Sequence, residues 1–302
     1  MPCVRTCVST SQPETSRSPM LRSTLRQLLE VYIARVPYHR GKWRIVDRIL
    51  SLTGLEDPDR GRVHDVERAG LRWRLNPDCA VQRRLLYHGM FDIHDIRALL
   101  VKIGPESVFL DIGSYFGFYG MLAAQRGARV FAFEPVPVNF QLLSLHRELN
   151  HVERLQAFQL AMSDAEGEVA FALPSDDNRG TGRMKVDASD DKETVRVAAT
   201  TLDQFARYHS LDRLDAFKLD VEGSELQVLA GGRATIERFR PVMLIELNPP
   251  CLARFGSTAG DLMGVVRGLG YDVFRPTSRG LVPFEQLEPG ESYTNILCLP
   301  RK

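Results

Sequence analysis

Val108-Phe-Leu-Asp111-Ile-Gly113-Ser-Tyr-Phe-Gly117-Phe-Tyr-Gly120 is the stretch that decides the fold of this 302-residue chain. An apolar run ends in an acid and then turns through glycine into a segment with helical spacing. Glycine at position 113 permits a tight turn and lets a ligand approach the backbone, because it carries no Cβ. A helix that begins near Gly117 offers unpaired N–H groups to a ligand's polar parts. The stretch therefore predicts a strand, a ligand-binding turn and a helix.

Short apolar runs continue on both sides of this turn. With the first run at 107–112, they lie at 129–134, 157–161, 215–221, 241–247, 271–274 and 294–299. Helical patterns separate most of them, at 117–126, 137–149, 224–239 and 259–269. Strands that alternate with helices of this length indicate βαβ units around a buried parallel sheet. We predict a Rossmann-like, doubly wound α/β fold with a mostly parallel seven-stranded sheet.

The chain divides into three regions by composition. Residues 1–19 are rich in Ser, Thr and Pro and are predicted to form a disordered leader. Residues 20–104 are predicted to form an N-terminal helical cap region, with a small hairpin at 66–75. The main domain spans 105–302 and carries an inserted hairpin at about 168–199, since two apolar runs there break the alternation of strands and helices.

Composition excludes several functional classes. The net charge is +1, so no global field recruits nucleic acid. The five cysteines are scattered, and neither they nor the histidines have the spacing of a metal site, so we assign no metal ligands to them. No apolar run approaches the length of a membrane span. We expect a soluble, cytoplasmic protein.

The glycine spacing distinguishes between two nucleotide cofactors. A dinucleotide fingerprint needs G-x-G-x-x-G around a pyrophosphate, whereas Gly113, Gly117 and Gly120 are spaced G-x-x-x-G-x-x-G. Asp111, two residues before the turn, would repel a pyrophosphate. The same acid suits the ammonium and sulfonium of S-adenosylmethionine, so the turn favours that cofactor over NAD.

Acids and small polar residues also follow the second and third strands. Glu134 and Pro135 come at the end of the second strand, where an acid is placed to accept hydrogen bonds from ribose hydroxyls. Met162 and Ser163 come at the end of the third and are assigned to the adenine edge. The alternative is that Asp111 caps a helix and Glu134 is a surface acid. Both acids at strand ends with this spacing favour the cofactor site.

The fourth strand carries the candidate catalytic acids. Asp220 is predicted to face the crevice beside the first strand, where it could act as general base toward an attacking hydroxyl. Alternatively, Asp220 and Glu222 could hold a divalent cation that polarises the acceptor oxygen. Lys218 could pair with one of these acids or point elsewhere. Glu246 follows on the fifth strand, at the same rim.

These stretches resemble the FkbM family of S-adenosylmethionine-dependent methyltransferases. The resemblance covers about 105 to 250, and Phe217-Lys-Leu-Asp-Val-Glu-Gly-Ser-Glu is its most specific part. It implies a class I methyltransferase fold and O-methylation of hydroxyls on sugars, glycolipids or polyketide-like products. By carry-over, Asp111, Gly113 and Glu134 would contact the cofactor and Asp220 would lie at the reaction centre. The chain departs from the family pattern at Ser114-Tyr115, often Ala-Asn, and at His146, often Asn.

The leading functional hypothesis is therefore a methyltransferase that uses S-adenosylmethionine and a small-molecule acceptor, a carbohydrate or polyketide hydroxyl. A non-catalytic cofactor-binding module and an NAD(P)-dependent oxidoreductase are the alternatives. The catalytic candidates are Asp220 and Glu222. The cofactor-binding candidates are Asp111, Gly113, Ser114, Gly117, Glu134, Pro135, Met162 and Ser163.

Overall fold

The computed structural model describes residues 19–36, 41–53, 61–173, 183–184 and 194–302. The chain forms two units, residues 1–60 and residues 61–302. The predicted leader lies outside the described residues except for its last position. Of the predicted inserted hairpin, residues 174–182 and 185–193 also lie outside the described residues.

Helices are present in both units. None of the described helices is long and apolar enough to cross a membrane. The first unit contains α1 (Pro19–Arg35) and α2 (Lys42–Thr53), and Lys42 Nζ donates to the Ile33 carbonyl at 2.9 Å. The helices of the second unit are α3 (Ala80–His88), α4 (Ile93–Leu100), α5 (Phe118–Gln125), α6 (Pro137–Leu149), α7 (Leu202–Tyr208), α8 (Glu225–Gly231), α9 (Arg233–Phe239), α10 (Pro249–Arg254) and α11 (Ala259–Gly268).

All described strands lie in the second unit. They are β1 (His64–Arg68), β2 (Leu71–Leu75), β3 (Val108–Ile112), β4 (Arg129–Phe133), β5 (Leu155–Phe158), β6 (Ala161–Met162), β7 (Gly167–Ala172), β8 (Arg183–Met184), β9 (Thr194–Thr200), β10 (Ala216–Leu219), β11 (Val242–Leu247), β12 (Tyr271–Thr277), β13 (Gly280–Pro283) and β14 (Thr294–Pro300).

The main sheet is mixed and has eight strands among the described residues, in the order β13-β12-β14-β11-β10-β3-β4-β5. The five strands from β11 to β5 are parallel, whereas β14, β12 and β13 pair antiparallel. The prediction of seven strands is therefore wrong, because the sheet also contains β13. This additional edge strand follows β12 after a short turn. The α/β class and the doubly wound order are confirmed, because the strand order reverses between β3 and β10.

Apolar side chains explain the centre of this sheet. Every residue of β3 and of β10 is buried. Strands covered on both faces read as continuous apolar runs rather than alternating ones. Asp111 and Lys218 are the polar exceptions on these two strands, and they are also neighbours in register. Two charged groups inside an apolar layer are costly to bury and are typical of a functional site.

Two strands within the range of the predicted inserted hairpin belong to a second, smaller sheet. β7 and β9 pair antiparallel, and β6 pairs parallel with β9. The third core strand therefore ends at Phe158, earlier than predicted, and Met162 belongs to β6 in the smaller sheet. Gln159 and Leu160 belong to neither sheet, because the chain passes from the main sheet to the smaller one at these two residues.

The predicted hairpin before the main domain is also confirmed. β1 and β2 pair antiparallel, with Val66 opposite Trp73. Trp73 is 1% exposed, and its ring packs on Phe116 with centroids 5.5 Å apart. Its indole N–H donates to the Arg68 carbonyl at 2.9 Å, so the buried polar atom is satisfied. The hairpin thereby contacts the turn that follows β3.

Candidate active site

The glycine turn after β3 uses three left-handed residues. Gly113, Tyr115 and Gly117 have φ values of 78°, 50° and 88°. A Cβ at position 113 would come within 1.7 Å of the Asp220 carbonyl oxygen. Glycine is therefore required because the turn packs directly against the end of β10. The amides of Gly113 and Ser114 both donate to the Phe133 carbonyl at 3.0 Å, which ties the turn to β4.

Asp111 lies at the end of β3 with one carboxylate oxygen unused. Its side chain is 1% exposed, and Oδ2 accepts a hydrogen bond from the Gly120 amide at 2.8 Å. Within the described part of the chain, Oδ1 is buried without a hydrogen-bond partner. Burial raises the pKa of Asp111 to about 6, although the Lys218 ammonium opposes the shift. An unpaired buried carboxylate oxygen is costly unless a ligand uses it.

Glu134 directly follows β4, and both of its carboxylate oxygens accept hydrogen bonds from other residues of the chain. Oε2 accepts from the Tyr115 amide at 2.8 Å, and Oε1 accepts from the Val136 amide at 2.9 Å and from Asn139 Nδ2 at 3.4 Å. Burial raises the pKa of Glu134 to about 8. The side chain therefore holds the glycine turn and the start of α6 against β4.

Lys218 pairs with Asp220, which resolves the choice left open by the sequence. The ammonium lies 2.5 Å from Asp220 Oδ2 and 4.8 Å from the centre of the Tyr119 ring. The Lys218 side chain is 5% exposed and that of Asp220 is 31% exposed. Burial alone lowers the pKa of Lys218, but the charge and hydrogen bond of Asp220 raise it above its usual value. The lysine is thus held charged beside the acid.

Three acids from two neighbouring strand ends converge here. Single carboxylate oxygens of Asp220, Glu222 and Glu246 lie within 4.8 Å of one another. Burial raises the pKa of Glu222 to about 7 and that of Glu246 well above its usual range, and the charge of Asp220 adds to both shifts. Cys251 Sγ donates to Glu222 Oε2 at 3.3 Å. Such a group of oxygens stores protons or ligates a cation.

A cavity of about 470 Å³ opens beside these acids. That volume is within the range of small-molecule sites. Of the predicted site residues, it is lined by Asp111, Gly113, Ser114, Asp220 and Glu222. Much of the remaining lining is aromatic or charged and includes Phe91, Asp92, Phe118, Tyr119, Glu246, Arg84 and Arg254. The structure thus brings both predicted catalytic residues and three predicted cofactor contacts to one cavity.

A second, much smaller pocket lies beyond Gly113 and Asp220, which line both spaces. Its wall includes three further predicted residues, Glu134, Pro135 and Met162. Gly117 and Ser163 line neither pocket. Gly117 is the N-cap of α5, where a Cβ would lie 2.4 Å from Leu143 Cδ1, and the Ser163 carbonyl packs against Gly231 of α8. These last two residues act through backbone packing.

Sequence analysis did not identify the aromatic wall of the cavity or the buried acid beside it. Phe91 stacks on Phe118 with centroids 4.3 Å apart, and the Tyr119 hydroxyl donates to Asp92 Oδ2 at 3.1 Å. Burial raises the pKa of Asp92 above its usual value. One signal was available: four aromatic residues within 115–119, immediately after the glycine turn. Nothing local in the sequence pointed to Asp92, since it lies between two short helices.

Fold and site together define the class of protein. A doubly wound α/β sheet with a glycine turn after its central strand, and acids at the adjoining strand ends, places the chain among the Rossmann-like α/β proteins. Residues 111–273 match the model of the Methyltransferase FkbM domain family. This match covers more than half of the chain, and the chain belongs to that family.

Curated relatives of the chain are methyltransferases and one synthetase. The 2-O-methyltransferase NoeI of Sinorhizobium fredii is 29% identical over 161 residues, 48% of this chain. The hexuronic acid methyltransferase AglP of Haloferax volcanii is 27% identical over 136 residues, 45% of this chain. The AMB antimetabolite synthetase AmbE of Pseudomonas aeruginosa is 27% identical over 215 residues, 57% of this chain. The matches span 64%, 54% and 10% of these relatives, less than two thirds in each case.

A solved structure, methyltransferase FkbM from Methylobacillus flagellatus KT, aligns over 93% of this chain and 59% of that chain. The alignment has a TM-score of 0.42 and 16% sequence identity.

Proposed function

We propose that the chain transfers the methyl group of S-adenosylmethionine to a hydroxyl oxygen of a small, sugar-like acceptor. One observation carries the proposal: Asp111, Asp220 and Glu222, from two neighbouring strand ends, line one cavity of about 470 Å³ beside the glycine turn. Family membership supports methyl transfer. The names of NoeI, a 2-O-methyltransferase, and AglP, a hexuronic acid methyltransferase, support a sugar hydroxyl as the acceptor.

Two buried polar atoms test whether the residues fit this cofactor. Asp111 Oδ1 and Ser114 Oγ have no hydrogen-bond partner among the described residues, and both side chains line the cavity. A carboxylate oxygen accepts from an ammonium, and a hydroxyl can donate or accept. Asp111, Ser114 and Gly113 would hold the amino-acid part of the cofactor. Glu134, Pro135 and Met162 would line the space for its nucleoside.

When bound, S-adenosylmethionine would supply a methyl group activated by a positively charged sulfur. The chain's own residues then have two tasks. The cavity walls orient the acceptor hydroxyl toward that methyl group, which is the main source of rate in a direct transfer. Asp220, held by Lys218, would accept the hydroxyl proton as the new bond to oxygen forms.

A divalent cation is the alternative way to activate the hydroxyl. Asp220, Glu222 and Glu246 place three carboxylate oxygens close enough to share one ion. The Lys218 ammonium already neutralises part of this charge. The two mechanisms differ in one measurable respect, because only the second requires added metal.

The test begins with binding and proceeds to transfer. Isothermal titration of the full chain with S-adenosylhomocysteine should give a defined affinity, and NAD(P)H should give none. Labelled S-adenosylmethionine should then label hydroxylated acceptors from a panel of neutral sugars, uronic acids and glycolipids, with and without Mg²⁺.

Three outcomes would contradict the proposal. Stabilisation by NAD(P)H and not by S-adenosylhomocysteine would indicate the oxidoreductase. Tight cofactor binding without transfer to any acceptor in the panel would indicate a non-catalytic module. Transfer to nitrogen or carbon acceptors alone would exclude a hydroxyl as the target.

A further inference from the structure

His146 lies on α6, outside the acid cluster, and is completely buried. Its Nδ1 lies 3.0 Å from the Phe116 carbonyl oxygen, and its Nε2 lies 3.0 Å from the Arg74 amide nitrogen. Phe116 belongs to the glycine turn and lines the large cavity. Arg74 belongs to β2 of the N-terminal hairpin. One imidazole therefore joins three elements that are distant in sequence.

The two partners fix the protonation of the ring. The Arg74 amide is a donor, so Nε2 must present its lone pair, and the Phe116 carbonyl is an acceptor, so Nδ1 must carry the hydrogen. Only the neutral Nδ1–H tautomer satisfies both. An imidazolium would carry a hydrogen on Nε2, lose the Arg74 amide and turn toward the Arg74 carbonyl at 3.2 Å.

The surroundings favour the neutral ring. Burial lowers the pKa of His146, while the Phe116 and Arg74 carbonyls, which would both accept from a charged ring, oppose the shift. Two charged groups of the hairpin also act on the ring: Arg74 lowers the pKa of His146 and Asp65 raises it. Arg74 and Asp65 are themselves paired at 2.8 Å, so their charges largely cancel at the ring.

The ring also packs within an aromatic cluster. Its centroid lies 5.1 Å from that of Trp73 and 5.8 Å from that of Phe116, with the planes nearly perpendicular in both pairs. Edge-to-face contacts of this kind restrict the ring's rotation. The hydrogen bond to the Phe116 carbonyl is thereby held in a fixed direction.

We propose that His146 is a positioning residue. Its neutral imidazole holds the backbone of the glycine turn through the Phe116 carbonyl and so sets the affinity for the cofactor. This inference rests on the proposed function. It assigns a role to a side chain that touches neither the acids nor the cavity.

The chain provides a matched control one turn further along α6. Asn150 bonds the same hairpin strand twice, donating to the Arg72 carbonyl and accepting from the Arg72 amide, each at 2.7 Å. Within the described part of the chain, its side chain also donates to the His146 carbonyl at 2.8 Å and bonds no residue of the glycine turn. Asn150 thus fastens the hairpin without holding the turn.

The experiment compares His146→Phe with Asn150→Ala. His146→Phe keeps an aromatic ring and removes both bonds, and we expect about tenfold weaker binding of S-adenosylhomocysteine by titration. Hydrogen exchange of peptides that cover 113–117 should also be faster in this variant. Asn150→Ala should lower the melting temperature while leaving affinity and turn exchange unchanged. Equal effects of the two variants on affinity would overturn the proposal, because they would show that His146 acts only by holding the hairpin against α6.

The wild-type protein provides a readout that no folding defect can obscure. Nitrogen chemical shifts of ¹⁵N-labelled His146 should report the Nδ1–H tautomer at neutral pH, and the Nε2–H tautomer or an imidazolium would overturn the proposal. His146→Asn, which retains a donor and an acceptor, should recover part of the lost affinity. Failure of the wild type to bind S-adenosylhomocysteine would refute the proposed function, whereas tautomer and turn exchange would still test the positioning role.

Discussion

Asp111 and Glu134 lie near the ends of neighbouring strands, yet their carboxylates are bonded in different ways. Asp111 is the last residue but one of β3, Glu134 directly follows β4, and both are at most 5% exposed. Glu134 accepts two backbone amides and a side-chain amide, so the protein uses both of its oxygens. Asp111 accepts one amide and leaves its other oxygen unpaired among the described residues. An acid at a strand end can therefore either hold a loop in place or keep an oxygen available for a ligand.

The difference arises from the backbone around each acid. The glycine turn bends back over β4, which brings the Tyr115 amide to Glu134. The chain leaves the sheet one residue after Asp111, and among the described residues the Gly120 amide is the one hydrogen-bond donor to the Asp111 carboxylate. Residual hydrogen-bonding capacity, rather than residue type or burial, separates the two acids.

The largest effect should come from Asp220, which lines both pockets. Asp220→Asn should lower the turnover number by about 10²- to 10⁴-fold, as expected for loss of a general base. Its affinity for S-adenosylhomocysteine should change less than about threefold, well below the cost of a lost charge-assisted bond. Single-turnover kinetics beside titration separates the two quantities. Asp212→Asn, an exposed acid, is the control, and full turnover in Asp220→Asn would remove Asp220 from the reaction.

Asp111→Asn tests the ligand side of the comparison. The amide oxygen can still accept from Gly120, but the negative charge is lost, so S-adenosylhomocysteine should bind about 100-fold more weakly. The melting temperature of the unliganded protein should not fall, since a buried carboxylate with one unpaired oxygen is removed. Titration calorimetry measures the affinity. An unchanged affinity would show that Asp111 does not contact the cofactor.

Acid should weaken cofactor binding through the same residue. The pKa of Asp111 is raised to about 6, so the carboxylate loses its charge as the pH falls through that value. Because the ligand's amino group stays protonated, affinity should fall by up to about tenfold per pH unit below 6. The Asp111→Asn variant should lack this dependence. A pH dependence shared by both proteins would assign it to another group.

Glu134→Gln tests, through the pH dependence of protein stability, whether Glu134 has the structural role described above. Burial raises the pKa of Glu134 from 4.5 to about 8, so the folded protein holds a proton that the unfolded chain releases at lower pH. The stability from that proton is complete below 4.5 and is lost as the pH rises through 8, by at most about 1.4 kcal/mol per pH unit. Thermal melts from pH 5 to 9 should therefore decline less steeply in Glu134→Gln. Parallel profiles would contradict the assignment.

The smallest effect should come from Ser114, whose hydroxyl is buried and unpartnered among the described residues. Ser114→Ala should weaken S-adenosylhomocysteine binding about fivefold, the worth of one neutral hydrogen bond. The unliganded protein should melt no lower than the wild type, because an unsatisfied hydroxyl is removed. A lower melting temperature with unchanged affinity would make Ser114 a structural residue.

Much of the fold could be predicted because its signals are local. Buried strands such as β3 and β10 read as apolar runs, and the glycine turn shows in its spacing. The helix predicted at 224–239 is interrupted, since Gly231 and Gly232 allow α8 and α9 to separate. A Cβ at Gly231 would lie 2.1 Å from the Ser163 carbonyl, a contact with a distant loop that no local pattern reveals.

The site was predictable in its acids but not in their partners. Asp111, Asp220 and Glu222 lie in one cavity, and β10 lies beside β3 as the doubly wound order predicts. The sequence could not show that Lys218 points at Asp220 or that Met162 belongs to a second sheet. Nor could it show the wall built from Phe91, Asp92 and Tyr119. Each of these facts is a contact between segments far apart in the chain.

The sequence by itself determined the class of the protein, because strand periodicity, turn glycines and acids at strand ends are set by neighbouring residues. Only the tertiary structure decided which acids keep a free oxygen, since that depends on whichever backbone amides the folded chain brings to them. The same holds for His146, whose protonation is set by a donor and an acceptor from two distant segments.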